Sequence, residues 1–230
     1  MKTIGLIGGM SWESSLHYYR LINEGVNARL GGLHSAQLLL HSVDFAPIAQ
    51  LQADDRWDDA GALLAQAAAG LQRAGAAFLL LCTNTMHRVA PAIEAAVTIP
   101  LLHVVDVTAA AVARRGLGRV GLLGTRFTME QPFYRQRLAA HGLDVLVPPD
   151  DDRTLVHRVI FDELCRGRVE PQSRAQLRRI AAQLVDAGAA GVILGCTELM
   201  MLLGAGDVSV PLFDTTALHA AAAVERALAD

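Results

Sequence analysis

Two short segments of the chain hold residue types that can move a proton. Cys82-Thr83-Asn84-Thr85-Met86-His87 follows one apolar run, and Gly195-Cys196-Thr197-Glu198-Leu199 follows another. A thiol ionises near pH ~8.5 and serves as a base wherever its surroundings favour the thiolate. A threonine hydroxyl is a far weaker acid, so it is rarely the resting base. The asparagine and threonines beside them are helix-capping types, and helix N-termini leave backbone N–H groups free to hold an anion. Such a terminus is also expected to lower the Cys196 pKa. A carboxylate held between two such strand ends would show its α-carbon to residue 83 on one face and to residue 196 on the other.

The case for pairing these segments comes from comparing the chain with itself. Residues 71–83 match residues 184–196 without gaps at an offset of 113, with six identities in thirteen positions. Residues 4–8 match 120–124 at an offset of 116, and the run from Ile99-Pro100-Leu101 matches Val210-Pro211-Leu212 at 111. Three collinear matches read as an internal duplication. The register makes Thr83 the partner of Cys196 and Cys82 the partner of Gly195. Neighbouring residues of a strand point to opposite sides, so Thr83 is expected to share the side of Cys196 and Cys82 is not. A lone cysteine at a buried strand end is usually a small structural hydrophobe. That reading serves for Cys82 and for Cys165, which lies on an expected helix.

The elements needed to position these groups follow from the pattern. Strands are expected at residues 3–7, 37–43, 77–82, 101–105, 119–123, 143–147, 191–194 and 210–213. Between them lie helices at 14–28, 58–74, 132–141, 174–187 and 216–229. In the first, Leu16, Tyr19, Ile22 and Val26 recur at helical spacing and are expected to be buried. Continuous apolar strands alternating with helices give an α/β fold of parallel sheets covered on both faces. The duplication makes it two pseudo-symmetric lobes, residues 1–98 with 214–230 returning, and 99–213. Their strand C-termini line one cleft, where open α/β sheets bind ligands.

Other motifs carry less. The turn Gly8-Gly9-Met10-Ser11-Trp12-Glu13-Ser14 permits close backbone approach but lacks the dinucleotide pattern GxGxxG. Gln52 falls in an expected loop, where glutamine is usually exposed. Gly124-Thr125-Arg126-Phe127-Thr128 duplicates the first turn; Arg126 has the charge for a carboxylate, although a surface arginine is the default. His87 could act behind the first motif or be an exposed helical histidine. The eight histidines show no metal-ligand spacing, and the three cysteines form no CxxC.

Composition removes whole classes. With 52% hydrophobic and 19% charged residues and no apolar run near ~18 residues, no membrane span is expected. A net charge of −3 without a basic stripe argues against a nucleic-acid partner. The N-terminus lacks the features of a signal peptide, so a soluble, cytoplasmic protein is expected. Of twenty basic residues nineteen are arginine, and the one lysine, Lys2, precedes the first strand. Pyridoxal phosphate needs a Schiff-base lysine and a phosphate loop needs a lysine among its glycines, so neither cofactor class is expected.

Taken together, the Gly8–Ser14 turn, the Cys82-Thr83-Asn84-Thr85-Met86-His87 segment and Gly195-Cys196-Thr197-Glu198 resemble the cofactor-independent aspartate/glutamate racemase superfamily, most of all its bacterial L-aspartate/glutamate-specific members. The resemblance runs along essentially the whole chain. It implies no cofactor, no metal, a small amino-acid substrate and a homodimer. It also implies two-base exchange of the α-proton, with Thr83 and Cys196 catalytic and Met10, Gln52, Asn84, Thr85 and Thr197 on the substrate. Most aspartate racemases of this kind carry Cys-Asn-Thr, so Thr83 breaks the symmetric thiol pair. A lysine that many relatives use for the side-chain carboxylate is replaced near Cys165. The alternatives are a broad-specificity amino-acid or hydantoin racemase, a decarboxylase, a maleate-type isomerase, or a carboxylate-binding protein with little turnover.

The missing lysine yields a first prediction. Dialysis against a chelator followed by a carbonyl reagent should leave α-proton exchange unchanged. Activity lost and then restored by a metal or by pyridoxal phosphate would overturn it.

Overall fold

The computed structural model describes residues 1–229, which fall into two compact units. One comprises Met1–Val104 and the chain from His219 onward; the other is Val105–Leu218.

In the first unit the chain runs β1 (Ile4–Gly8), α1 (Trp12–Leu30), β2 (Leu38–Ser42), α2 (Phe45–Ala53), α3 (Trp57–Arg73), β3 (Phe78–Leu81), a 3-10 turn (Thr85–Val89), α4 (Ala90–Ala95) and β4 (Leu101–Leu102). The strands form a parallel sheet in the order β2-β1-β3-β4. The second unit runs α5 (Val104–Arg114), β5 (Arg119–Gly124), α6 (Arg126–Glu130), α7 (Pro132–Ala140), β6 (Asp144–Leu146), α8 (Asp150–Arg158), α9 (Pro171–Asp186), β7 (Val192–Gly195), β8 (Leu212–Asp214) and α10 (Thr215–Leu228), whose C-terminal part belongs to the first unit. Its sheet has the order β6-β5-β7-β8, again parallel. One topology thus occurs twice.

The repeat extends to register and packing. Gly5 pairs with Leu79 and Leu79 with Leu101; in the other sheet Gly121 pairs with Val192 and Val192 with Leu212. These are the positions that the three sequence offsets equate. A Cβ on Gly5 would lie 2.7 Å from Leu79 and 3.4 Å from Leu71, and one on Gly121 would lie 2.9 Å from Leu184. Each glycine lets the equivalent leucine of α3 or α9 press on the sheet. A methyl group there overpacks a tight contact, which typically costs about 1–3 kcal/mol.

Several expected elements are corrected. The strand expected at 101–105 is only two residues long; it pairs with β3 in the first sheet, and Val104 already starts α5. Helix α1 buries Tyr18, Ile22 and Val26, whereas Leu16 and Tyr19 are exposed. A stripe through Tyr18 has the same spacing as one through Leu16, and packing selects the former. Tyr18, Ile22 and Val26 pack with Ile4, Leu6, Phe78, Leu80 and Cys82 of the sheet, and with Ala220, Ala223 and Val224 of α10. Among the described residues no helix is long and apolar enough to cross a membrane.

One polar group is sealed into this core. The fully buried His219 ring lies 2.8 Å from Tyr18 Oη through Nδ1 and 2.7 Å from the Leu102 carbonyl through Nε2. Burial pushes its pKa down from 6.5 to about 4. The unfolded chain therefore binds the proton first. The stability contributed by the neutral ring is whole above pH ~6.5 and is lost as the pH falls toward the folded value, about 3 kcal/mol in all. Urea unfolding should accordingly show stability dropping from pH 6.5 to 4.5, and His219→Gln should flatten that slope. An unaltered slope would place the acid sensitivity elsewhere.

Candidate active site

The ends of β3 and β7 carry the groups of interest. In the first unit Cys82 follows β3 with its side chain fully buried among Ile4, Leu6, Tyr18 and Ile22. Burial pushes its thiol far up, so it is inert as a base. Thr83, the next residue, retains 8% exposure, as does Cys196. The strand ends at Leu81, and the Thr83 N–H bond back to the Leu81 carbonyl turns the chain at this point. Cys82 belongs to the core and Thr83 stands outside it.

Backbone bonds fix this end tightly. Cys82 N–H donates to the Ile7 carbonyl at 2.9 Å and Thr83 N–H to the Leu81 carbonyl at 2.9 Å. Asn84 and Thr85, buried like Thr83, lead into the 3-10 turn Thr85–Val89. Asn84 makes no side-chain cap bond, contrary to expectation. Gln52, expected exposed in a loop, is instead buried near the end of α2. Its amide Nε2 donates to Met86 Sδ at 2.9 Å, and its Oε1 has no hydrogen-bond partner. That places Gln52 against the Cys82–His87 segment, with a buried acceptor unused.

The glycine turn has a structural reason. Gly9 has φ +95° and its Cβ would fall 2.2 Å from the Val43 carbonyl, so only glycine fits. Gly9 N–H donates to Ser15 Oγ at 2.7 Å, and Ser11 caps α1 by accepting from Ser14 N–H. Met10 is buried between them. The duplicate turn is shorter: Thr125, at the position of Gly9, has φ −65° and itself caps α6 by accepting from Thr128 N–H. Arg126 is spent on Glu130, 3.2 Å away and part-exposed.

In the second unit Cys196 Sγ–H donates to Glu198 Oε2 at 3.1 Å, and Thr197 Oγ1–H donates to the same oxygen at 2.6 Å. All three residues are buried. The expected lowering of the Cys196 pKa is overturned. Burial pushes the thiol well up, and the Glu198 carboxylate and then Cys165 add to this. No helix follows β7, only the 3-10 turn Leu199–Met201, so the dipole invoked for a thiolate is missing. Sequence reasoning also missed Glu198, although it stood two residues from the cysteine. Cys165, read as a structural residue on a helix, sits in a 3-10 turn (Leu164–Arg166) near enough to Cys196 to act on it electrostatically. Among the described residues no group of three or more His, Cys, Asp or Glu could hold a metal ion.

Equivalent strand ends of the two units thus carry groups able to exchange a proton, a thiol bonded to a carboxylate in one and a hydroxyl in the other. Residues 7–223 match the Asp/Glu/Hydantoin racemase family, and the chain belongs to it. The crystal structure of a Yersinia pestis protein assigned as an Asp/Glu racemase matches with a TM-score of 0.93 at 54% identity, covering 100% of both chains. That of an aspartate racemase homologue from Pyrococcus horikoshii OT3 gives 0.86 at 35% identity over 99% of each chain. The broad specificity amino-acid racemase RacX of Bacillus subtilis is 26% identical over 69% of this chain and 68% of its own length.

The thiol arrangement is testable directly. In a Cys165→Ser background, Glu198→Gln should move the pH midpoint of Cys196 alkylation downward, because both the repelling charge and the carboxylate that accepts the S–H bond are removed. An upward shift, or none, would overturn it.

Proposed function

We propose that this protein is an amino-acid racemase that exchanges the α-proton of aspartate or glutamate without pyridoxal phosphate. Cys196 and Thr83 are its two acid–base groups. The observation that carries the reading is their equivalence: each follows the third strand of its own sheet, and each keeps a little exposure while Cys82 is sealed. Family membership and the match to the Yersinia pestis structure support the reaction class.

In this reading the Cys196 proton moves to Glu198, leaving a thiolate beside a neutral carboxyl group. The pair then holds one negative charge in either arrangement, so forming the base adds no second buried anion. The thiolate lone pair takes the α-hydrogen, and the C–H electron pair is delocalised into the α-carboxylate. Asn84, Thr85 and Thr197 are assigned as donors to the substrate carboxylates, where charge develops. The unused Gln52 Oε1 suits the α-ammonium group, and Met10 supplies an apolar wall. Thr83 returns a proton to the other face, slowly, because its hydroxyl is a weak acid. RacX, a broad specificity amino-acid racemase, favours a second reading in which further amino acids are accepted.

Proton NMR in deuterated water, with both enantiomers of the common amino acids, tests this. Cys196→Ser should reduce exchange by about 10²-fold or more, the usual worth of a positioned base. Thr83→Cys should raise net racemisation, and Thr83→Ala should suppress inversion while leaving single-face exchange. If Cys82→Ser abolishes inversion and Thr83→Ala does not, Cys82 is the second base.

A further inference from the structure

Behind Thr83 lies a buried imidazole that the proposed chemistry does not use. His87 is 3% exposed in the 3-10 turn, with Nδ1 2.7 Å from the Thr83 carbonyl oxygen and Nε2 3.2 Å from Val104 N. A carbonyl only accepts and a backbone N–H only donates. The ring must therefore carry its hydrogen on Nδ1 and present the Nε2 lone pair to Val104. It is neutral, and one tautomer alone satisfies both partners.

The surroundings enforce this. The His103 ring packs edge-on at 4.4 Å between centroids, and His219 lies at 6.1 Å. His219 has the opposite tautomer: Nε2–H donates to the Leu102 carbonyl, and Nδ1 accepts from Tyr18 Oη. Residues 102–104 are thus held from two sides. Both peptide groups flanking the Thr83 α-carbon are also held. Its N–H donates to the Leu81 carbonyl at 2.9 Å, and the Thr83 carbonyl accepts from His87, while Ser14 Oγ, shared with the nearer Ser11 carbonyl at 3.0 Å, lies 3.3 Å from the Cys82 carbonyl. Two fixed peptide planes fix the direction of the Thr83 Cα–Cβ bond between them, and so the three staggered positions open to Oγ1.

We infer that His87 is the positioning residue for Thr83: its Nδ1–H holds the Thr83–Asn84 peptide, anchored in turn through Nε2 to Val104, and so aims the hydroxyl. This deepens the proposed function and rests on Thr83 being the second acid–base group. His87 itself touches no substrate.

The two bonds can be separated by substitution. The side-chain amide of Asn stands near Nδ1, and that of Gln reaches the place of Nε2. His87→Asn therefore keeps the donor to Thr83 and loses the acceptor for Val104, and His87→Gln does the reverse. Misplacing a reacting group by about 1 Å costs on the order of 10²-fold, so His87→Gln should cut inversion by at least about 10-fold while His87→Asn stays within about 3-fold of the wild type. Deuterium exchange on the Cys196 face should hold in both, as should the thermal midpoint of Asn relative to Gln. Both faces falling together, or Asn faring no better than Gln, would reduce His87 to a packing group. Nitrogen-15 NMR of the wild-type imidazole gives a reading independent of activity. A neutral Nδ1–H ring at pH 7, with a Thr83 carbonyl carbon shift that changes in Gln and not in Asn, supports the assignment; an Nε2–H ring overturns it. A wild type that exchanges no α-proton would defeat the racemase reading, and the tautomer and carbonyl shift would still decide how Thr83 is held.

Discussion

The pleat of β3 decides which residue is available for chemistry. Successive side chains leave a strand on opposite faces, and Phe78 and Leu80 are committed to the core beneath α1 and α10. Cys82 continues that face and becomes a sealed apolar thiol. Thr83, where the chain turns, lies outside that core cluster. Slipping the register by one residue would bury a hydroxyl and release a thiol, and the packing of Tyr18 and Ile22 against the same face prevents it. Core packing thus seals Cys82 and leaves Thr83 8% exposed.

Burial carries a consequence for the first group as well. A thiol at 8% exposure is a poor base by itself, because desolvation penalises the thiolate. Glu198 makes the penalty larger in charge terms, yet it offers the proton somewhere to go at 3.1 Å. Thr197 donates to the same carboxylate oxygen and so holds the acceptor in place. The two strand ends are unlike: in one unit a thiol hydrogen-bonded to a carboxylate, in the other a threonine whose carbonyl meets a buried histidine.

Much of this was legible in the residues. The duplication was written in the alanine-glycine runs before β3 and β7, and the three offsets agree with the strand register, Gly5 to Leu79 and Gly121 to Val192. The burial of Cys82 as a structural thiol was read from its place at a buried strand end. What failed depended on tertiary choice. The buried stripe of α1 runs through Tyr18 instead of Leu16, because two stripes of equal spacing compete and the sheet selects one. Gln52 was hidden because α2 is short and its ends carry no strong helical pattern. The Cys196 pKa was misjudged because the thiol is buried beside Glu198, and the chain makes only a 3-10 turn where a helix was invoked.

The central claim is that the two faces of the α-carbon are served unequally. The most direct measurement follows one pure enantiomer at a time in deuterated water, recording deuterium at Cα by proton NMR and configuration by chiral chromatography. The account predicts that one enantiomer takes up deuterium with retention faster than it inverts, because the Cys196 thiol returns a solvent deuteron before Thr83 delivers one. Deuterium appearing only in the inverted product, at equal rates from both enantiomers, would contradict it.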